Sequence, residues 1–179
     1  FQLKPSQVKA LQKANIVFYI DDSFETFLQG AFENLPGHIR KTAVAQKAGL
    51  TVLSHREGGA WDAHKHDAHE HETEEEHHHD EHEEHVDEED HHDHGDHDMH
   101  VWLDPENARR VVKSVTKELS ALYPENHDTY KANARVTIER IDAVDAELKT
   151  SLDGLQDKPF IVFHDAYQYF ERSYGLSGV

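Results

Sequence analysis

The segment from Asp62 to Asp98 has the residue types of a metal-binding region. Its 37 residues contain 13 histidines and 18 aspartates and glutamates, but only one basic residue, Lys65. Imidazole nitrogen and carboxylate oxygen are suitable ligands for zinc and other borderline divalent metals. No ordinary globular surface needs these groups at such density, so the composition predicts a protein that handles metal.

We expect the histidines of this segment to bind metal weakly, at several interchangeable sites. They are His64, His66, His69, His71, His77, His78, His79, His82, His85, His91, His92, His94 and His97. The segment is almost without apolar side chains (Val86 is the exception), so burial cannot offset the entropy of ordering it. We therefore expect residues 62–98 to form a disordered loop. The alternative, a merely solvated run of charge, would explain the carboxylates but not the interleaved imidazoles.

The composition of the whole chain excludes several classes of function. The formal net charge is −18, of which the acidic segment contributes −17, so the remainder is nearly neutral. Without a basic stripe to neutralise phosphates, nucleic-acid binding is not expected. The absence of cysteine excludes thiolate zinc sites, iron–sulfur clusters and disulfides, which leaves histidine, aspartate and glutamate as metal ligands. No signal peptide or transmembrane run is visible, and we expect the chain to be a fragment of a longer protein.

Two histidines outside the acidic segment border apolar stretches. His100 precedes Val101, Trp102 and Leu103, and His164 follows the apolar run 160–163. In open α/β sheets ligands collect at the carboxyl ends of strands, so these two histidines are candidates to share a metal ion. Two alternatives remain at this level. His100 is also compatible with a core histidine bonded to backbone, and His164 with a catalytic base oriented by a carboxylate.

The elements that would position these histidines alternate between strand and helix. Apolar runs predict strands at 15–20 and 160–163, a strand end at 100–103, and short strands at 42–45 and 50–53. Apolar spacing of three and four predicts helices at 5–13, 24–32, 105–123, 124–155 and 167–174. We expect N-caps at Asp21–Ser23, Asp104 and Asp165. The alternation predicts an α/β fold with a parallel sheet and flanking helices.

Three segments resemble a known family of transport proteins. They are Phe1–Ser6 (FQLKPS), Asp98–Asn107 (DMHVWLDPEN) and Phe160–Phe170 (FIVFHDAYQYF). Together they resemble the metal-binding components of zinc and manganese ABC importers, over the whole chain. The acidic segment is similar to the loop of the zinc-specific members. The resemblance implies two similar α/β lobes, joined by a long rigid helix, with metal bound in the cleft between them.

The resemblance also implies a division of the chain and a set of ligands. Residues 1–123 would form the first lobe, 124–157 the connecting helix and 158–179 the start of a second lobe. His100 and His164 would be the second and third ligands of the cleft site. The first ligand, a histidine, would lie upstream of Phe1, and any acidic fourth ligand would lie in the second lobe. Histidine at the third position is typical of zinc members, whereas glutamate is typical of manganese members, in agreement with their ligand preferences.

The function implied by the resemblance is zinc uptake. The protein would be a periplasmic, monomeric solute-binding protein that captures Zn²⁺ and delivers it to an ABC permease in the inner membrane, without chemistry on a substrate. A manganese or nickel receptor of the same family is the nearest alternative. A zinc hydrolase would need a general base and an open coordination position, but the chain has no His-Glu-x-x-His pattern. An intracellular metal chaperone is disfavoured because no phosphate-binding Gly-Lys-Ser/Thr loop is present.

Deleting residues 63–97 should remove the weak zinc equivalents and leave a tight site intact. The reason is that all 13 histidines of the acidic segment lie in this range, while His100 and His164 lie outside it. Calorimetric titration with Zn²⁺ near neutral pH measures both classes of site. An unchanged stoichiometry would contradict a metal-binding role for the segment. In the intact chain the weak equivalents should also disappear in acid, because imidazole titrates near pH ~6.5 and loses its lone pair on protonation.

Overall fold

The computed structural model describes residues 3–56 and 97–178, and residues 3–55 and 97–178 belong to one compact unit. The helices are α1 (Pro5–Gln12), α2 (Gln29–Glu33), α3 (Val44–Lys47), α4 (Pro105–Leu122), α5 (His127–Ser151) and α6 (Gln168–Tyr174). The strands are β1 (Ile16–Tyr19), β2 (Arg40–Ala43), β3 (Leu53–Ser54) and β4 (His97–Asp98), and single 3₁₀ turns occupy Thr26–Leu28, Val101–Leu103 and Pro124–Asn126. The predicted α/β class is confirmed.

Strands β1 and β2 form a parallel pair, with Ile16 opposite Arg40 and Tyr19 opposite Ala43. The apolar run that predicted β1 lies where it was expected. Parallel neighbours need a crossover connection, and here α2 lies on the segment that joins them. Both carboxyl ends therefore point the same way, so the loops that follow β1 and β2 leave from one edge of the sheet.

Strands β3 and β4 form an antiparallel pair on either side of the acidic segment. Leu53 is opposite Asp98, and Ser54 is opposite His97. This pairing holds together the two points at which the chain enters and leaves residues 57–96. The predicted strand at 50–53 is thus reduced to Leu53–Ser54, because the two residues of β4 offer a partner for only two residues.

Helices α4 and α5 pack against each other and carry the best-formed polar contacts of the fold. Asp104 caps α4 as predicted, since its carboxylate accepts hydrogen bonds from the backbone N–H groups of Glu106 and Asn107. From α4, the Arg109 guanidinium donates to Asp142 and Asp145 on α5, at 2.7 Å in each case. Burial raises the pKa of Asp145, but hydrogen bonds from Arg109 and Lys149 outweigh it, so that pKa lies below its ordinary value.

Several predicted elements differ from the observed ones near strand ends. Residues 42–45 were predicted as a strand, but β2 ends at Ala43 and α3 begins at Val44, because β1 offers no partner beyond Tyr19. Residues 100–103 are not a strand end, since Val101–Leu103 form a 3₁₀ turn. In this turn Val101 is completely buried and Trp102 is 43% exposed, and an apolar run alone does not distinguish such a turn from a strand.

Two of the three predicted helix caps are wrong. The carboxylate of Asp21 accepts from the N–H and hydroxyl of Ser23, so this segment is a turn, and helical structure starts only at Thr26. Asp165 does not cap α6, whose N-cap residue is Tyr167 without a side-chain hydrogen bond. Aspartate and serine stabilise such turns as readily as helix starts, because the same side-chain-to-backbone bonds serve both.

The run 160–163 was predicted as a buried strand and is not one. Within the described part of the chain its backbone makes a single bridge, from Phe160 to Gly178, and Ile161 and Phe163 are 87% and 105% exposed. A strand requires a neighbouring ladder, and residues 3–56 and 97–178 supply none here. The proposed division into lobes at residues 123 and 157 stays a prediction. Among the described helices, none combines the length and apolarity needed to span a bilayer.

Replacing Arg109 by alanine should lower the free energy of unfolding by about 2 kcal/mol, because it leaves the buried Asp145 with only Lys149 as a cationic partner. Urea unfolding at pH 7 measures the change. Arg135→Ala is the matched control: its pair with Glu139 is largely exposed, so we expect less than about 0.5 kcal/mol. Equal losses in the two variants would contradict the assigned importance of Arg109.

The same cluster predicts how stability depends on pH. The carboxyl of Asp145 has a lower pKa in the folded protein than in the unfolded chain, so its contribution is present above the ordinary carboxyl pKa. This contribution is lost as the pH falls through the lowered, folded-state value. The difference in unfolding free energy between the parent protein and Arg109→Ala should therefore shrink in acid. A difference that is constant down to pH 2 would contradict this linkage.

Candidate metal centre

A cavity of about 260 Å³ lies beside the loop that follows β1 and beside the β3–β4 pair. Its lining residues are Ser23, Phe24, His55, His97, Met99, His100, His164 and Asp165. Half of them are histidines, drawn from three separate parts of the chain. The position after the carboxyl end of a parallel strand is the place where α/β sheets bind ligands.

The carboxyl end of β1 positions Phe24 at this cavity through a set of local hydrogen bonds. The backbone N–H groups of Ile20 and Asp21 donate to the Glu25 carboxylate at 3.0 Å. The N–H of Phe24 donates to the carbonyl oxygen of Asp21 at 3.1 Å. These contacts fix the turn after the strand, so the Phe24 ring lies edge-on to the rings of His100 and Trp102 at 5.8 and 5.6 Å between centroids.

The ring of His100 is held by a buried carboxylate. His100 Nδ1 is 2.7 Å from Asp98 Oδ1, and the backbone N–H of His100 donates to the same oxygen at 2.9 Å. Asp98 is only 2% exposed. With the proton on Nδ1 and donated to Asp98, the lone pair is on Nε2, which is the carboxylate–histidine arrangement of metal-binding imidazoles. The Asp98 carboxylate therefore favours the tautomer of His100 with its proton on Nδ1 and fixes the orientation of the ring.

The backbone of Asp98 is held in turn by Tyr169 of α6. The Tyr169 hydroxyl donates to the Asp98 carbonyl oxygen at 2.5 Å and accepts from the Leu53 N–H at 2.8 Å. Tyr169 is completely buried, and burial raises the pKa of its hydroxyl, so it remains a neutral donor. One side chain thus joins β3, β4 and α6 directly behind the candidate site.

A second buried polar side chain fixes the turn after His100. The Asn107 amide accepts from the Thr51 N–H at 2.9 Å and donates to the carbonyl oxygens of Thr51 and Val101 at 2.8 and 3.1 Å. Asn107 and Val101 are both completely buried. These contacts connect α4 with the loop before β3 and with the turn that begins one residue after His100, so the backbone on the carboxyl side of His100 is held in place.

The structure brings His100 and His164 together across a distance of 64 positions in the sequence. Their ring centroids are 5.3 Å apart, and the ring planes are inclined by 72°. Two imidazoles on one tetrahedral zinc ion, each with a Zn–N bond of about 2.0–2.1 Å, have centroids roughly 5 Å apart. The observed separation therefore fits two ligands of one ion. His164 is exposed, while the His100 side chain is 18% exposed.

The pair would supply two ligands of a metal site, and the described residues supply no complete set. Among residues 3–56 and 97–178, no group of three or more histidines, aspartates and glutamates is arranged to hold a metal ion. The assignment of His100 and His164 as ligands therefore stays a prediction, supported by their separation and by the bond from Asp98. Of the histidines predicted to form weak sites, His64–His94 lie outside the described residues.

The structure also identifies residues that the sequence did not single out. His97, counted with the acidic segment, is in β4 and lines the cavity, and His55 lines the same cavity. Asp98 was counted as one charge among eighteen, although its position two residues before His100 was visible. Tyr169 and Asn107 lie within the segments that carry the family resemblance, but their buried roles depend on contacts between distant parts of the chain.

The fold and the paired histidines define an α/β protein with a candidate metal-binding cavity at the strand ends. Residues 1–179 match the family described as "Zinc-uptake complex component A periplasmic", ZnuA, and the chain belongs to this family. The family predicted from the three sequence segments is thereby confirmed.

Individual relatives agree with this assignment. The chain is 40% identical over 193 aligned residues to the high-affinity zinc uptake system protein ZnuA of Brucella abortus (strain 2308), covering 98% of the chain and 54% of that protein. It is 33% identical to the protein of the same name from Yersinia pestis, covering 99% and 52%. It is also similar to the crystal structure of a zinc-bound ZnuA deletion mutant, with a TM-score of 0.72, 25% identity and coverage of 100% and 55%. The chain thus spans about half the length of the curated relatives it matches.

Replacing Tyr169 by phenylalanine should destabilise the protein by about 2 kcal/mol. The change removes one hydroxyl and leaves the Leu53 N–H and the Asp98 carbonyl oxygen without this partner in a buried position. Thermal and urea unfolding measure the loss. Tyr167→Phe is the control. Tyr167 is 43% exposed, so removal of its hydroxyl should change the free energy of unfolding little. If both variants unfold like the parent protein, the bridging role of Tyr169 is wrong.

Proposed function

We propose that the protein captures Zn²⁺ with His100 and His164 and delivers it to an ABC permease in the inner membrane. The observation that carries this proposal is the approach of the two imidazole rings to 5.3 Å in a shared cavity. Membership of the zinc-uptake family supports zinc as the cargo. In this function the ion is bound and released unchanged.

The ligand chemistry favours zinc over manganese. Both proposed ligands are imidazoles, which suit zinc, whereas carboxylate and water ligands suit manganese. The carboxylate of Asp98 is hydrogen-bonded to the His100 ring, so it would orient this ligand instead of binding the ion itself. A site with two imidazoles and few carboxylates is therefore a zinc site by its composition. A manganese or nickel receptor of the same family remains the alternative.

Binding would proceed by exchange of water for imidazole. The bond from His100 Nδ1 to Asp98 leaves Nε2 as the metal-binding atom. The Tyr169 hydroxyl donates to the Asp98 carbonyl oxygen and holds the backbone of Asp98 in place. The ring of His100, which is bonded to Asp98, therefore loses little rotational freedom when zinc binds. His164 is the exposed partner, so it can meet an ion that arrives from solvent. We propose that the remaining ligands come from parts of the full-length protein outside residues 1–179, as the longer relatives suggest.

A binding role without catalysis suits the carboxylate that contacts His100. A zinc hydrolase needs a carboxylate or other base facing the metal-bound water. Asp98 is buried and accepts two hydrogen bonds from His100, so it cannot act as that base without releasing the ring. We therefore propose a periplasmic, monomeric binding protein, whose acidic segment holds further zinc weakly.

Single substitutions of the paired histidines should abolish tight zinc binding. We expect His100→Ala and His164→Ala to weaken the tight site by more than about 100-fold, since each removes a direct ligand. Asp98→Asn should weaken it by about 10–100-fold, because the orienting partner of His100 changes. Competition with a chromophoric chelator in the full-length protein gives these affinities, and circular dichroism verifies folding.

His38→Ala is the matched control, because His38 is exposed and lies outside the cavity. Its zinc affinity should equal that of the parent protein. Tight zinc binding that survives in both His100→Ala and His164→Ala would overturn the proposed site. If the parent protein binds Mn²⁺ in preference to Zn²⁺ in direct competition, the cargo is manganese and not zinc.

A further inference from the structure

The two proposed ligands are held in different ways. His100 is fixed directly, because its ring and its backbone N–H are both bonded to the buried Asp98 carboxylate. His164 is exposed and lies in a bend between the run 160–163 and α6. Two ligands bind one ion tightly only when both are held close to the geometry of the complex. The position of His164 therefore depends on the element that carries its backbone.

The backbone on both sides of His164 is attached to α6. On the carboxyl side, the N–H of Ala166 donates to the His164 carbonyl oxygen at 2.8 Å, and α6 begins two residues after Ala166. On the amino side, Phe160 forms a parallel bridge with Gly178, shortly after α6 ends. The segment 160–167 is thus a loop whose two ends both meet α6, so a displacement of this helix displaces His164.

Two buried tyrosine hydroxyls attach α6 to the rest of the fold. The Tyr169 hydroxyl joins it to the β3–β4 pair. The Tyr174 hydroxyl joins it to α5, since it donates to Asp145 Oδ1 at 3.3 Å. Because the two tyrosines are five positions apart in a helix, their attachment points are about 7.5 Å apart along its axis. Two separated points fix the direction of a helix, whereas a single point leaves it able to pivot.

The contact of Tyr174 ends on a carboxylate that two cations hold in place. Arg109 and Lys149 donate to Asp145 Oδ2 at 2.7 and 3.1 Å, while Tyr174 donates to Oδ1. A hydrogen bond to a charged acceptor is stronger than one to a neutral acceptor. Burial raises the pKa of Tyr174 to about 12, so the hydroxyl keeps the proton that it donates. The attachment of α6 to α5 is therefore a strong one.

We propose that Tyr174 is a positioning residue for His164. The proposal rests on the proposed function, in which His164 is a zinc ligand, and it adds the residue that keeps this ligand in place. Tyr169 lies midway in the sequence between His164 and Tyr174. Without the bond from Tyr174 to Asp145, α6 pivots about the Tyr169 contact, and the loop that carries His164 moves relative to His100.

Loss of this contact should weaken zinc binding although every ligand remains. When His164 is displaced for part of the time, only the remaining fraction of the molecules offers both imidazoles at once, and the apparent affinity falls by that fraction. We expect Tyr174→Phe to weaken the tight zinc site of the full-length protein by about 5-fold, a size typical of coupling through packed side chains. Competition with a chromophoric chelator measures the affinity, and circular dichroism verifies folding.

Tyr123→Phe is the matched control. It removes the same atom, and the Tyr123 hydroxyl also joins distant parts of the chain, since it accepts a hydrogen bond from the Asn15 side chain at 2.7 Å. Neither of these residues belongs to α6 or lines the cavity, so the zinc affinity of the control should equal that of the parent protein. An equal loss of affinity in the two variants, or no loss in Tyr174→Phe, would overturn the proposal.

A second variant tests the same contact from α5 if Tyr174→Phe does not fold. Asp145→Asn keeps the shape of the side chain, but a neutral amide oxygen accepts a weaker hydrogen bond than a carboxylate. Its zinc affinity should therefore fall in the same direction. An affinity equal to that of the parent protein would overturn the positioning role.

The effect of Tyr174→Phe should depend on the presence of His164. In the His164→Ala background, Tyr174→Phe should cause no further weakening of the residual zinc binding, because the ligand that it positions is absent. A contact that acts on another part of the site, or on the fold in general, would weaken binding there as well. A further loss of affinity in this background would thus contradict the assignment of Tyr174 to His164.

A measurement without zinc distinguishes failure of this proposal from failure of the proposed function. In the zinc-free full-length protein, the His164 ring lies beside the His100 ring, which shifts the NMR signals of its neighbour. Tyr174→Phe should move the His164 imidazole signal towards that of a free histidine, and Tyr123→Phe should leave it unchanged. If this signal moves but His164→Ala keeps tight zinc binding, the proposed function alone is wrong. A His164 signal that does not move would overturn the positioning role of Tyr174.

Discussion

The arrangement of the candidate site depends on the buried carboxylate of Asp98. A carboxylate in the interior is costly unless hydrogen bonds compensate its lost hydration, and here the ring and backbone N–H groups of His100 provide them. The same bonds fix which nitrogen of His100 is available to an ion. Burial of the Asp98 carboxylate thus orients the ring of one proposed ligand, and the contacts of Tyr169 and Asn107 hold the backbone around it in place.

Polar residues make up much of the best-buried part of the described chain. Three of the four largest fully buried side chains, Tyr169, Asn107 and Asp98, are polar or ionisable, and all three act on the segment that carries His100. A core of this kind is stable only while every partner is present, because each unpaired buried group costs about 1–3 kcal/mol. The fold therefore specifies the position of His100 more strictly than an apolar core of the same size would.

Sequence patterns predicted well the elements whose signal is local. The helices α1, α4 and α5 and the strand β1 lie where apolar periodicity placed them, and Asp104 caps α4 as expected. The errors concern runs whose state depends on a distant neighbour. The run 160–163 has strand-like residues but no ladder among the described residues, so it forms no strand, and Ile161 and Phe163 are exposed. The turn at Asp21 was interpreted as a helix cap because turns and caps use the same side-chain-to-backbone bonds.

The sequence alone determined the chemistry available to this protein: histidine and carboxylate ligands without cysteine, an acidic segment with its charge confined to one stretch, and motifs that indicate the family. The tertiary structure decided which of these groups meet. Only folding brings His164 within 5.3 Å of His100, places Asp98 behind its ring, and makes His55 part of the same cavity. The reason is physical: residue type fixes what a side chain can bind, whereas contacts between residues far apart in sequence fix where it stands and which nitrogen it offers.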